Sequence, residues 1–170
     1  MTTIFPLGLE SPGQRLRSTP QDRSPERLMA IIAEHHHRGV ARYQSRDVTG
    51  DGVAETFCNL FAQDVAEAMS APLPRHMLAN ATVAWLDAEA IRDASEWCAV
   101  DAHAAQMAAN EGELALVGWV NPGGPGHLAV VVPSLGDAGT WIAQAGRQNF
   151  TRAPLLSGFG TLPVRFWIHP

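Results

Sequence analysis

The spacing of apolar residues predicts helices in the first two thirds of the chain. Ser24 followed by Pro25 is typical of a helix start, because a side-chain oxygen can cap the helix and proline fits its first turn. The apolar stripe that follows is predicted to end near Gly39. Four helices are predicted in all, over residues 25–39, 57–70, 81–93 and 100–110.

The pattern changes after Gly112, where short β-branched or aromatic runs alternate with turn residues. Strands are predicted over residues 114–120, 127–133, 140–145 and 163–169. Helices followed by strands indicate an α+β fold, with an antiparallel meander of about four or more strands and the helices packed on one of its faces.

The length of 170 residues fits one ordinary domain. Residues 1–24 are rich in Pro, Ser and Arg and show no period, so they are predicted to form an N-terminal tail or an arm on the surface. Residues 25–170 are predicted to form a single domain.

The charge balance narrows the classes of partner. Twelve basic and 17 acidic side chains give a net charge of −5. Nucleic acids and anionic membranes bind basic surfaces, so neither is expected as a partner. The two cysteines exclude a disulfide scaffold and a zinc site made of cysteine alone.

Cys58 is the first candidate for chemistry. Thr56 is predicted to cap a helix and so to place Cys58 in its first turn. A thiol there meets unpaired backbone N–H groups and the positive end of the helix dipole, and both stabilise the nucleophilic thiolate. The alternative is a structural thiol, since free cysteine is among the most buried residue types.

His127 and Gln144 are predicted to meet on two neighbouring strands. His127 opens a strand after a glycine-rich turn, where substrate can reach it, although a plain surface histidine is the alternative. A hairpin turn centred on residues 135–136 would place Gln144 directly opposite His127, with Cβ atoms about 5 Å apart. The Gln144 oxygen could then accept a hydrogen bond from one imidazole nitrogen and leave the other to act on Cys58. A slip of one residue would turn Gln144 away, and Asn149 would then be the third residue.

This order of a helix cysteine, a strand histidine and a polar residue on the next strand resembles the papain-like cysteine hydrolases of bacterial cell walls, the NlpC/P60 and CHAP families. The matching segments are residues 56–61 (TFCNLF), 126–132 (GHLAVVV) and 142–146 (IAQAG), and the resemblance covers roughly residues 40–150. It implies Cys58 as nucleophile, His127 as general base and Gln144 as orienting residue. Many members carry His, Asn or Glu at the third position.

The resemblance also implies an activity, the hydrolysis of an amide bond in the peptide part of peptidoglycan. The first 20 residues lack a basic start followed by an apolar core, so no cleaved signal peptide is expected. A chain made in the cytoplasm and acting on the cell wall would be an antibacterial effector exported by a dedicated system or a phage lysin, unless it is cut from a longer protein. An effector implies an immunity protein as partner. The alternatives are an acyl transferase or glutamine deamidase acting on a protein, and a non-catalytic binding module.

A segment just before Cys58 resembles a calcium loop. Its oxygen ligands would fall at alternating positions: Asp47, Thr49, Asp51, the backbone carbonyl of Val53, and Glu55. Gly52 supplies the sharp turn, but Cys58 stands where the EF-hand has a bidentate Glu, so the loop is not an EF-hand. Some CHAP enzymes similarly bind calcium just before the nucleophile. The alternative is a plain Asp–Gly turn.

Other candidates have weaker support. Cys98 competes with Cys58 as nucleophile and is interpreted as a buried structural thiol, with a disulfide between the two left open. Residues 35–37 are three histidines at a predicted helix end; a metal site is the alternative to cations that favour a helix C-terminus. Residues 147–150 are candidates for the rim of a cleft.

Overall fold

The computed structural model describes residues 15–38 and 40–170, and this part of the chain has six helices and a six-stranded antiparallel sheet. The helices are α1 (Pro25–Arg38), α2 (Val40–Tyr43), α3 (Cys58–Ala68), α4 (Ala79–Glu89), α5 (Ala102–Glu111) and α6 (Leu155–Phe159). The strands are β1 (Cys98–Val100), β2 (Leu114–Trp119), β3 (His127–Val132), β4 (Trp141–Gln144), β5 (Phe150–Pro154) and β6 (Arg165–His169). The predicted α+β class is therefore confirmed.

The sheet has the strand order β1-β6-β2-β3-β4-β5. Strands β2, β3 and β4 are the first three strands of the predicted meander, each antiparallel to the next, but the strand that follows β4 in the sheet is β5 and not the predicted strand over residues 163–169. The last strand, β6, returns to lie between β1 and β2. The two edge strands of the sheet, β1 and β5, lie outside the predicted strands.

The prediction that all helices pack on one face of the sheet is wrong, because both faces are covered. Leu116 and Val130 pack with α1, α3 and α4 on one face. Val117 and Val131 pack with Ala105 of α5 and with α6 on the other. Burial on both sides explains why β2 and β3 are almost continuously apolar instead of alternating.

Two helix starts differ in how they are capped. Phe57 occupies the N-cap of α3 and makes no side-chain bond there, so the predicted cap at Thr56 is wrong. Asp101 caps α5 by accepting a bond from the Ala104 N–H at 2.8 Å. Gly112 ends α5 with φ of 87°, and a Cβ there would lie 2.1 Å from the Ser24 backbone.

The described part of the predicted N-terminal arm, residues 15–24, packs against the domain. The Ser18 N–H donates to the Ala68 carbonyl at the end of α3, at 2.7 Å. The Arg23 guanidinium donates to the carbonyls of His169 and Met69, at 2.6 and 2.9 Å. These bonds join the arm to α3 and β6; residues 1–14 lie outside the described part of the chain. Across residues 15–38 and 40–170, no helix has both the length and the apolar character that a membrane crossing needs.

Candidate active site

Cys58 is the first residue of α3, as its predicted place in the first helical turn requires. Its residue surface is 3% exposed, and it contacts the core formed by α3 and β3. Burial raises the pKa of the Cys58 thiol, but the hydrogen bond and charge of His127 outweigh burial, helped by the backbone N–H groups of Leu128 and Asn59. The net shift lowers the pKa, which favours the thiolate.

His127 is the first residue of β3 and is half-buried. Burial lowers the pKa of its imidazole, but the hydrogen bond and negative charge of Cys58 and the hydrogen bond to Gln144 outweigh burial and raise it. A lowered thiol pKa beside a raised imidazole pKa favours a thiolate–imidazolium pair over the neutral pair.

The predicted contact between His127 and Gln144 is present. The His127 Nε2 atom lies 2.6 Å from the Gln144 Oε1 atom. The Gln144 Nε2 atom donates to the Gln148 carbonyl at 3.1 Å, and this fixes which end of the amide faces the imidazole. Since an amide oxygen can only accept, His127 Nε2 carries the proton and Nδ1 is left to face Cys58.

The strand register behind this contact differs from the predicted one. Strands β3 and β4 pair Val130 with Ala143, two positions away from the predicted partner Trp141. Side chains alternate with a period of two along a strand, so a shift of two residues keeps Gln144 on the same face as His127. The two side chains meet diagonally, which is within reach of a long side chain such as glutamine.

The short helix α6, which the sequence analysis missed, packs against both residues. The Phe159 ring lies 4.8 Å from the His127 ring, centroid to centroid. A Cβ added at Gly158 would lie 2.4 Å from the Gln144 Oε1 atom, so only glycine leaves room for this oxygen. The segment from Leu155 to Phe159 shows only a single i, i+4 apolar pair, too short a signal to predict a helix.

The glycine-rich turn before His127 is held by Asn80 of α4. The Asn80 side-chain amide donates to the carbonyls of Asn121 and Gly124, each at 3.0 Å, and accepts from the Asn121 N–H at 2.9 Å. A Cβ at Gly126 would lie 2.2 Å from the Asn80 Oδ1 atom. This close packing places the start of β3, and therefore His127, relative to α4.

A cleft of ≈ 1140 Å³ lies over these residues. His127 and Gln144 line it, as do Phe57 and Asn59 on either side of Cys58. Cys58 lies between these two lining residues in the chain and is itself buried, with 3% of its surface exposed. Of the predicted rim, 147–148 line the cleft.

Asn149, the alternative third residue, has a different role. Its Oδ1 atom accepts from the Gly146 N–H at 2.9 Å, and its Nδ2 atom donates to the Tyr43 carbonyl at 3.3 Å. Asn149 thus closes the loop after β4, and Gln144 is the residue that meets His127.

The second cysteine does not join the site. Cys98 opens β1 and is exposed, so its interpretation as a buried thiol is wrong. Both Cys58 and Cys98 are free, and the disulfide left open by the sequence is not formed.

The surroundings of His35 and His36 at the end of α1 favour the neutral imidazole over the expected cation. His35 is buried, with its Nδ1 atom 3.3 Å from the Tyr43 hydroxyl, and His36 packs edge-on against Phe61. Burial lowers the pKa of both imidazoles, which favours the neutral form. The side chain of His37 lies outside the described part of the chain.

The predicted calcium loop brings three carboxylates together. Oxygen atoms of Asp47, Asp51 and Glu55 all lie within 4.8 Å of one another. They already accept backbone bonds: Asp47 from the N–H groups of Gly50 and Gly52, at 2.6 and 2.8 Å, and Asp51 from that of Val53 at 2.9 Å. Bonds from Gly52 and Gly50 lower the pKa of Asp47. The donor set fits a hard cation, and the same oxygens also stabilise the loop as an Asp–Gly turn.

The chain was compared with models of known protein families and with curated proteins, and neither comparison finds a match.

Proposed function

We propose that this protein is a cysteine hydrolase with a papain-like arrangement that cleaves an amide bond in the peptide part of peptidoglycan. The observation that carries the proposal is the 2.6 Å contact of His127 with Gln144 in the cleft, together with the His127 interaction that lowers the pKa of the Cys58 thiol at the start of α3. A nucleophile at a helix start, a base on a strand and an orienting residue on the next strand are the three parts that thiol acyl transfer needs.

The chemistry follows from the order of these contacts. The Cys58 thiolate attacks the amide carbonyl carbon, and the developing oxyanion accepts a bond from the Cys58 backbone N–H at the helix start. The His127 imidazolium gives its Nδ1 proton to the leaving amine as the carbon–nitrogen bond breaks. His127 then takes a proton from water, whose oxygen attacks the thioester carbon. The carbon–sulfur bond breaks, the acid leaves, and the Cys58 thiolate and the His127 imidazolium are restored. Gln144 holds the imidazole in one orientation through both steps.

The proposal extends to setting and partners. A hydrolase of this kind would be delivered to the cell wall by a dedicated export system, as an antibacterial effector or phage lysin. An effector requires an immunity protein that blocks it in the producing cell, and the cleft is the surface that such a partner would cover.

We also propose that Ca²⁺ binds the carboxylates of Asp47, Asp51 and Glu55, completed by oxygen atoms of Thr49 and Val53. When bound, the ion would supply only rigidity to the loop that leads into α3. The chemistry itself requires no cofactor.

Digestion of purified sacculi tests the activity. We expect the protein to release soluble muropeptides, identified by mass spectrometry, and the Cys58→Ala variant to release none. The matched control is Cys98→Ser, which removes the other, exposed thiol and should retain full activity. Equal release by wild type and Cys58→Ala would refute the mechanism. Intact sacculi together with a protein glutamine converted to glutamate would favour a deamidase instead.

A further inference from the structure

Two arginines of the cleft are held by one buried carboxylate. Asp64 of α3 is 4% exposed, and its Oδ2 atom accepts from Arg42 Nε at 2.9 Å and from the Tyr43 hydroxyl at 2.5 Å. Its Oδ1 atom accepts from Arg42 Nη2 at 3.2 Å and from Arg75 Nη1 at 2.7 Å. Burial raises the pKa of Asp64, but the bonds from Tyr43, Arg75 and Arg42 outweigh burial and lower it, so the carboxylate is ionised.

Both guanidinium groups keep a reachable side. The side chains of Arg42 and Arg75 are 47% and 39% exposed, and both line the cleft as well as a second cavity of ≈ 300 Å³. Arg42 uses Nε and Nη2 on Asp64, so its Nη1 donors remain available to a ligand. Arg75 also pairs through Nη2 with Glu67.

The arginines of the cleft are paired with carboxylates but still have donors to offer. Three arginines, Arg42, Arg75 and Arg147, and one carboxylate, Glu55, line the cleft, while Asp64 and Glu67 pair with Arg42 and Arg75 from outside this lining. The Nη1 donors of Arg42 can therefore still make a charge-assisted bond to an anionic group. The planar guanidinium also suits carboxylates, and contacts that hold it in place reduce the entropy lost on binding.

We propose that Arg42 and Arg75 form an anion subsite of the cleft that binds a free carboxylate of the substrate. The preferred substrate class is therefore an amide or peptide that carries a side-chain or terminal carboxylate near the bond to be cut. Asp64 is the positioning residue, since its buried carboxylate accepts bonds from both guanidinium groups and so fixes their orientation. This inference rests on the proposed thiol chemistry of the same cleft.

Two thiol-reactive probes that differ in one charge test the subsite. The C-terminal amides of iodoacetyl-Gly-Glu and iodoacetyl-Gly-Gln present the same reactive carbon and nearly the same shape, and only the Glu probe carries a carboxylate. Their alkylation rates at Cys58 are measured on a Cys98→Ser background, because Cys98 is exposed and would also react. The ratio of the two rates isolates the effect of the extra carboxylate. His127 attracts the anionic probe in every variant, so it cancels when ratios are compared between variants.

We expect the acidic probe to react about fivefold to tenfold faster in the parent, a gain typical of charge-assisted bonds at half-exposed sites. Arg42→Gln and Arg75→Gln should each reduce the ratio about threefold. Arg92→Gln is the matched control, since Arg92 is an exposed arginine paired with Glu89 that does not line either cavity. It should leave the ratio unchanged.

Equal rates for the two probes in the parent, or a ratio that neither arginine substitution changes, would overturn the subsite. If a Gln variant fails to fold, Arg42→Lys replaces it, because lysine keeps the positive charge. The rate ratio of the parent can also be measured at rising NaCl concentration, which requires no variant. A preference for the acidic probe that does not change with salt would also overturn the subsite.

The probes need only a reactive thiol, so the test is independent of peptidoglycan. If the acidic probe reacts faster but the protein does not digest sacculi, the proposed function is refuted and the subsite stands. If the protein digests sacculi but the two probes react equally fast, the subsite alone is refuted.

Discussion

Replacing Gly158 by alanine should disable the site without touching any residue proposed to react. The new Cβ would lie 2.4 Å from Gln144 Oε1 and 2.7 Å from Ile142 Cδ1. Ordinary contact between such atoms needs about 3.5 Å, so the Gln144 oxygen must withdraw by about 1 Å. The His127–Gln144 distance of 2.6 Å would then grow beyond hydrogen-bonding range.

The size of the effect follows from what that bond does. A hydrogen bond to a charged group contributes about 1.5–3 kcal/mol, and each 1.4 kcal/mol is a factor of ten in rate. We therefore expect kcat of Gly158→Ala to fall about 10- to 100-fold. Overpacking against Ile142 should also lower the free energy of unfolding by about 1–3 kcal/mol.

A double-mutant cycle separates displacement of Gln144 from a general loss of packing. Muropeptide release is measured for Gly158→Ala, Gln144→Ala and the double variant, with thermal unfolding recorded for each. Once the Gln144 amide is gone, the added methyl group has no oxygen to displace, so Gly158→Ala should cost little further activity. Gly123→Ala is the control, because its Cβ would meet nothing closer than 3.8 Å. The reasoning fails if Gly158→Ala keeps activity within twofold of wild type, or loses as much on the Gln144→Ala background.

Three further predictions concern ionisation and calcium. Because His127 lowers the pKa of the Cys58 thiol, alkylation of Cys58 by iodoacetamide should persist at pH values where free cysteine no longer reacts; a rate that tracks free cysteine would contradict the ion pair. Because the pKa of Asp64 is lowered in the fold, its stabilisation is present above the unfolded value of about 3.9 and is lost as the pH falls through the folded value. Asp64→Asn should therefore lower the free energy of unfolding by about 2–3 kcal/mol at pH 7, and this free energy should fall less steeply with acid than in wild type. Urea titrations at several pH values measure it, and a variant with the same pH dependence as wild type would contradict the role of Asp64. Added Ca²⁺ should raise the Tm of wild type but not of Asp47→Asn, and an equal rise in both would exclude the proposed ligand set.

The residues that the sequence could locate are those at element boundaries. Cys58 follows a polar turn and precedes an apolar stripe, and His127 follows a run of glycines and opens an apolar run. Boundary signals are local, so they survive even when the exact cap is wrong, as it was at Thr56. The sequence also contains a signal that both faces of the sheet are covered. The unbroken apolar run of β3 is typical of a strand buried on both sides, whereas helices on one face alone predict alternation.

The residues that the sequence could not locate act across long separations. Arg42, Asp64 and Arg75 lie on three different segments, and no spacing rule relates a carboxylate in one helix to guanidinium groups 22 and 11 residues away. In the sequence, Gly158 cannot be told apart from the glycines of ordinary turns. A side chain is excluded at this position only because the Gln144 side chain packs against it in the fold. Such tertiary constraints are set by packing and not by local propensity.

Gln144 shows why a wrong register could still give the right contact. The turn was predicted at Leu135 and Gly136, and both have positive φ there, with the Asp137 N–H donating to the Ser134 carbonyl at 3.1 Å. Additional residues between this turn and β4 then shift the pairing by two positions. An even shift preserves the face of every side chain, whereas a shift of one would have buried Gln144 against the opposite layer of helices. A change of two residues before β4 that brings Gln144 directly opposite His127 should therefore retain more muropeptide release than a change of one residue, because only the change of two keeps this acceptor on the side of His127.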